Sequence, residues 1–226
     1  MTEDPYAPRS SAAPANPYAP PAALDAGGAS GPIRGHHPLL KWFFLAGSVV
    51  TLGVYIASNV AQVSYYMDNL DRFAHPGAVP PNPLLEDTAS QVFLSINMLT
   101  SIGTSVVGLV WLGLAWAALP PQYRVTKSGK VMTPGSVVGF MFIPCFSLYW
   151  MFPANVGLCE ALDYLLVYYG SPRRAPRSLA IAACVCYLVP CTTLMVAPIL
   201  WFIFMWKIDD AMKELLPRLN AEHARA

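Results

Sequence analysis

Glu160 and Asp163 come nearest in this chain to a pair of residues spaced for chemistry. Three positions apart, they share one face of a helix. With His75 from a separate loop they would offer a divalent cation a small set of hard ligands. Arg173 and Arg174 follow closely in sequence, and ion pairing with them is the expected use of both carboxylates. Nothing else among the ionisable residues has the spacing of a site. No phosphate-binding glycine loop, dinucleotide fingerprint or paired-histidine metal motif occurs. His36, His37, His75 and His223 all fall outside the apolar segments, so a nucleophile inside those segments would have no histidine base. Cys145, Cys159, Cys184, Cys186 and Cys191 lie in or beside apolar runs, where a thiol acts as a small hydrophobe. The expectation is a protein without enzymatic activity, cofactor or resident metal. A net charge of +1 with no basic patch offers nucleic acid nothing to bind.

What the ionisable residues do show is where they are missing. The chain has 226 residues, of which 12% are charged and 55% hydrophobic, against roughly 25% charged in soluble domains. No Asp, Glu, Lys, Arg or His lies between Lys41 and Asp68, Asp87 and Arg124, Lys130 and Glu160, or Arg177 and Lys207. These gaps are 26, 36, 29 and 29 residues long. About 20 apolar residues cross a hydrocarbon core of roughly 30 Å. The pattern therefore predicts an all-α integral membrane protein with four transmembrane helices near residues 42–63, 92–118, 135–158 and 179–206. The absence of charge inside them argues against proton relays and voltage sensing.

Around this membrane domain (39–206) the sequence predicts two tails. Residues 1–38 are rich in Pro, Ala, Ser and Gly and repeat "PYAP" at 5–8 and 17–20, a composition that predicts disorder. In residues 207–226, Ile208, Met212, Leu215, Leu216 and Leu219 form an apolar stripe among charges, the pattern of an amphipathic helix. Asn82 and Pro83 read as a cap and first turn, and so do Thr133 and Pro134. The third apolar segment runs on to Gly170, too long to cross straight, so Pro144 or Pro153 is expected to break it. With both termini on the inner side, ten Lys and Arg lie inside and four outside, as the positive-inside rule favours. "SPRRAPRS", 171–178, is then an unusually basic outer loop.

Uncharged polar residues recur inside the predicted spans. Asn97, Ser101, Thr104 and Gly108 share one face of the second, and Gly47, Thr51, Ser58, Asn59 and Gln62 recur along the first. Gly135 and Gly139 form a G-x-x-x-G step in the third, the kind of small-residue face on which membrane helices pack. Tyr149 and Trp150, near the middle of that segment, predict either a protein-facing position or an interface reached because the helix is broken. The segment "TPGSVVGFMFIPCFSLYWMF", through Pro134, Gly135, Gly139, Phe142, Ile143 and Pro144, resembles the signature of an uncharacterised bacterial family of multi-span membrane proteins. Ser147 stands where that family often has Asn, and "WAALPPQYR" replaces its usual sequence after the second span. The resemblance implies an inner-membrane protein and supplies no activity. Two functions follow as expectations. One is a non-enzymatic component acting through helix packing in the bilayer, with other envelope proteins or further copies of itself as partners. The other is a small transporter, channel or lipid-binding protein with its site at the broken third helix.

Overall fold

The structure is a computed structural model describing residues 39–74, 82–126, 129–189, 193 and 195–223. His75, Cys191, the "PYAP" repeats and the rest of the N-terminal tail lie outside the described residues. Among those described, the regular elements are helical.

Helix α1 (Leu40–Asp68) leads into the short α2 (Leu70–Ala74), and α3 (Pro83–Glu86) precedes α4 (Thr88–Ala117). Pro83 opens α3 and not the long helix. Asp87 restarts the chain as the cap of α4, its carboxylate accepting from the Ala89 and Ser90 amides. At 29 and 30 residues, α1 and α4 are each about 44 Å long at 1.5 Å per residue. These two helices are long and apolar enough to cross a membrane. They run antiparallel. Gly47 faces Thr104 and Gly108 faces Phe44, while Tyr65 at one end of α1 meets Glu86 before α4. A soluble core would bury such helices, yet Val60, Val63, Met98 and Leu99 are at least 60% exposed. Exposed aliphatic surface of this extent is what a helix that meets lipid or a partner presents.

The rest of the chain makes two reversals. Thr133 caps α5 (Pro134–Gly139) by accepting from the Ser136 amide, and the Ser136 hydroxyl closes a capping box. After a 3₁₀ turn (Phe140–Phe142) the helix cannot continue. Ile143 is extended, as a residue before proline prefers, and Cys145 takes φ +61°. Helix α6 (Phe146–Tyr168) then runs back. Going backwards from Val137 through Thr126 to Tyr123, the partners advance from Trp150 through Gly157 to Tyr164. That is an antiparallel hairpin with its tip at 140–146. Pro153 sits inside α6 without ending it. Gly170 ends it instead, at φ +66°, with Gly170 N–H to Val167 O and Ser171 N–H to Leu166 O forming a Schellman closure.

Helix α7 (Arg177–Leu188) returns along α6, pairing Arg177 with Glu160 at one end and Cys184 with the Met151 carbonyl at the other. After the segment around residue 193, α8 (Val196–His223) packs back along α7. The expected fourth span, 179–206, is thus two helices of opposite direction. The third, 135–158, is likewise a short helix, a turn and the first half of a returning one. The reversals bring together polar segments that a four-span path would separate. Tyr123 lies against Tyr164 and Tyr168, Arg173 pairs with Glu214, and Arg218 donates to Tyr169 O. The residue 118–132 loop, the "SPRRAPRS" loop and the second half of α8 therefore share one end, together with Lys41. This near end holds the core; the far end carries Tyr65, Arg72 and Glu86.

Candidate functional site

The near-end core is built around tryptophans whose indole N–H groups are all spoken for. Trp111 donates to Asp209 at 3.1 Å, Trp116 to Ala154 O at 2.9 Å, and Trp150 to Val137 O at 3.1 Å. Buried indoles need such partners, and here each bond joins two elements. Lys41, 5% exposed, reaches Asp209 at 2.8 Å. The start of α1, the end of α4 and the middle of α8 are thereby joined at one carboxylate. Lys130 lies over the Trp150 ring at 4.2 Å, a cation–π contact joining the segment before α5 to the start of α6. Arg124 donates to Leu119 O and Ala117 O beyond the end of α4. There it offsets the helix dipole, and burial lowers its pKa.

Above this base, the two hairpin tips face the middle of the α1–α4 pair across a partly open cavity of about 420 Å³. That volume is within the range that takes a drug-sized ligand. The first tip contributes Met141, Ser147 and Leu148; the second contributes Tyr187 and Thr193. Helices α1 and α4 supply Ser48, Thr51, Ser101, Thr104 and Ser105, and α8 supplies Ala197, Pro198, Trp201 and Met205. Among the described residues no charged side chain lines it, and its wall is chiefly apolar.

Asn155 of α6 is the unusual member of the wall. It is 1% exposed, and its Nδ2 donates to Met151 O at 2.7 Å. Since a carbonyl can only accept, this bond fixes which end of the amide is which. Its Oδ1 is buried with no hydrogen-bond partner, an arrangement that costs about 1–3 kcal/mol.

The predicted positions fall in different places. Ser101 and Thr104 line the cavity, and Thr104 also packs on Gly47. Pro144 forms the first tip, with Trp150 buried beneath it and stacked at 5.6 Å on Phe146. Tyr149 points outward at 66% exposure, so the two neighbouring aromatics have opposite surroundings. Pro134 begins α5. Gly135 and Gly139 receive no close neighbour: a Cβ at either would meet nothing within 4 Å. Close approaches occur instead at Gly47, Gly113 and Gly157. Asn97 lies outside the cavity wall. Glu160 pairs with Arg177, and Asp163 accepts from the Ala175 amide, so Arg173 and Arg174 are not their partners. Among the described residues no acidic, histidine and cysteine cluster has the makings of a metal site.

Sequence reasoning missed Asn155, Tyr187 and Thr193. Asn155 did leave a signal, as the one amide in the uncharged run from 131 to 159. Tyr187 and Thr193 left none, because their shared position depends on a reversal between them. Comparison with family models, with curated proteins and with solved structures gave no match.

Proposed function

We propose that this chain is a non-enzymatic membrane protein that holds a ligand drawn from the lipid phase between the tips of two re-entrant hairpins. In this reading α1 and α4 span the bilayer. The α5–α6 and α7–α8 hairpins enter from one face to about mid-depth and leave by the same face. The observation that carries it is the cavity itself. Irregular backbone at membrane depth is tolerated where it lines a cavity, and broken helices meeting at mid-depth are a recurrent way to make a binding site.

Charge supports the topology. With both hairpins re-entrant and the tails on the near side, thirteen of the fourteen Lys and Arg lie on that side and only Arg72 on the other. The four-span arrangement leaves Arg173, Arg174 and Arg177 outside as well. The positive-inside rule then makes the near face cytoplasmic, in an inner membrane if the source is bacterial, as the family resemblance implies.

Single cysteines in a cysteine-free background test this. Arg174→Cys, Lys213→Cys and Asp71→Cys all sit at exposed positions. In right-side-out vesicles a membrane-impermeant maleimide is expected to label Asp71→Cys alone, and in inverted vesicles the other two. Labelling of Arg174→Cys together with Asp71→Cys would restore four spans and remove the cavity.

A further inference from the structure

One line of α1 is polar from the cavity to the far end. Ser48, Thr51, Tyr55, Asn59, Gln62 and Tyr66 lie 3, 4, 4, 3 and 4 residues apart. That is the period of an α-helix, so they share one side of it. Ser48 and Thr51 line the cavity; beyond it Tyr55, Asn59 and Tyr66 are exposed and Gln62 is half-buried. From Thr51 to Tyr66 the line rises about 22 Å at 1.5 Å per residue. Asn59 gives one N–H to Tyr55 O at 2.7 Å, and Gln62 gives one to Ser58 Oγ at 3.3 Å. Each amide keeps its oxygen and a second N–H for another group. A second exposed side of the same helix, made by Val49, Gly53, Ile56, Val60 and Val63, is apolar. On α4 the line that leaves the cavity at Ser105 and Ser101 continues through Met98 and Leu94, both exposed. Above the hairpin tips the pair therefore offers one polar wall and one apolar wall.

We infer that these two lines are the track by which an uncharged amphiphile of the far leaflet enters the cavity. Its head group follows Tyr66, Gln62, Asn59 and Tyr55 down α1, while its chain lies against Leu94 and Met98. This rests on the reading of α1 and α4 as spans and of the hairpins as re-entrant, which leaves the line uncovered at hydrocarbon depth. Exposed amides are costly there unless something pairs with them. A lipid chain cannot do so, and a passing head group can. The near side offers no such route, because Trp111, Trp116, Trp150 and Phe204 are packed into its core. Charge selects the head group. Among the described residues no cation stands on the line, and the far mouth sets Asp68, Asp71, Glu86 and Asp87 against Arg72. An anionic head group would meet repulsion at the mouth and an uncompensated desolvation cost beyond it. The class that fits is a neutral lipid with hydroxyl or amide groups, such as an acylglycerol.

The test uses the full chain in nanodiscs and follows the time course of cross-linking by a photoactivatable diacylglycerol. Met151 and Met205 report entry, since both line the cavity and are otherwise buried. Labelling of both to a saturating level is expected. The double variant Tyr55→Phe with Asn59→Leu removes exposed polar groups above the cavity and leaves its wall untouched. It should reach the same final level at least about tenfold more slowly, the effect of one lost polar contact on the way in. Val60→Asn, on the apolar side of α1, should leave the rate unchanged. A photoactivatable phosphatidylglycerol should label the two methionines at least about tenfold more slowly than the diacylglycerol. Equal rates in the wild type and the double variant would overturn the track and leave the cavity standing. A lower final level in the double variant would overturn it too, by making these side chains part of the binding site. Equal labelling by the anionic lipid would overturn the choice of head group. Absence of saturable labelling in the wild type would overturn the cavity as a lipid-phase site.

Discussion

The near and far halves of the molecule are held together in different ways. In the near half, Trp111, Trp116, Trp150 and Phe204 are essentially fully buried, and hydrogen bonds from the three indoles tie separate elements together. In the far half, α1 and α4 have, among the described residues, each other and the short segments beside Tyr65. Aliphatic residues there point outward, Ile56 and Leu94 among them. The difference teaches that apolar content alone does not make a core. Indole hydrogen bonds between elements, and close approach at small residues, do. The far half remains free to meet lipid or another helix.

The sharpest way to break the comparison is at Lys41. Lys41→Ala withdraws the charge facing Asp209, a carboxylate 3% exposed. Removing one partner of a buried pair costs about 3–5 kcal/mol. Unfolding in detergent should show a loss of this size, with α1 released from α8. Replacing both members, Lys41→Met with Asp209→Leu, should restore only part of it, because the buried Trp111 indole N–H then loses its acceptor. If Lys41→Ala alone proves neutral, the near half does not depend on this junction.

Glycines give a matched pair between packed and open positions. A Cβ at Gly157 would stand 2.9 Å from Thr126 Cγ2 and 3.6 Å from the Trp116 ring. One at Gly53 or Gly103 would meet nothing within 4 Å. Gly157→Ala should therefore destabilise by about 1–3 kcal/mol through overpacking. Gly53→Ala should instead stabilise by about 0.5–1 kcal/mol, because alanine is the better helix former. Opposite signs in one thermal-shift experiment are expected, and equal signs would mean that the near half yields as readily as the far half.

The sequence made these halves legible to different degrees. Gaps in charge marked α1 and α4 because each spans its gap without interruption, and the Thr133–Pro134 start and Gly170 stop follow from local backbone chemistry. Pro144 announced a break. Whether the chain kinks or reverses there depends on the Phe140–Phe142 turn and on Trp150 reaching Val137 O, contacts that no local pattern encodes. The basic "SPRRAPRS" loop lies beside Glu160 and Glu214, a neighbourhood that its own composition does not specify. Gly135 and Gly139 meet no close neighbour among the described residues, since small residues permit close approach without requiring it. Asn155 was visible as an amide in an apolar run, but its unpaired oxygen emerges only when the wall around it is assembled.

The smallest expected effect belongs to the far end and depends on pH. Glu86 accepts from Arg72 and Tyr65, joining the short segment before α4 to the end of α1. The Arg72 hydrogen bond, followed by those from Tyr65 and the Asn82 amide, lowers its pKa from 4.5 to about 2. A carboxylate whose folded pKa is lowered contributes stability above its unfolded value and loses that contribution as pH falls through the folded one. The relevant window therefore runs from about pH 4.5 down to about pH 2. Because the cluster is open to solvent, its contribution is screened by salt and small. Other carboxylates titrate over the same range, so the informative quantity is the difference in Tm between wild type and Glu86→Gln. That difference should be constant above pH 4.5, shrink towards zero near pH 2, and narrow at high ionic strength. A difference that ignores pH would show that α1 and α4 are joined at the far end by packing alone.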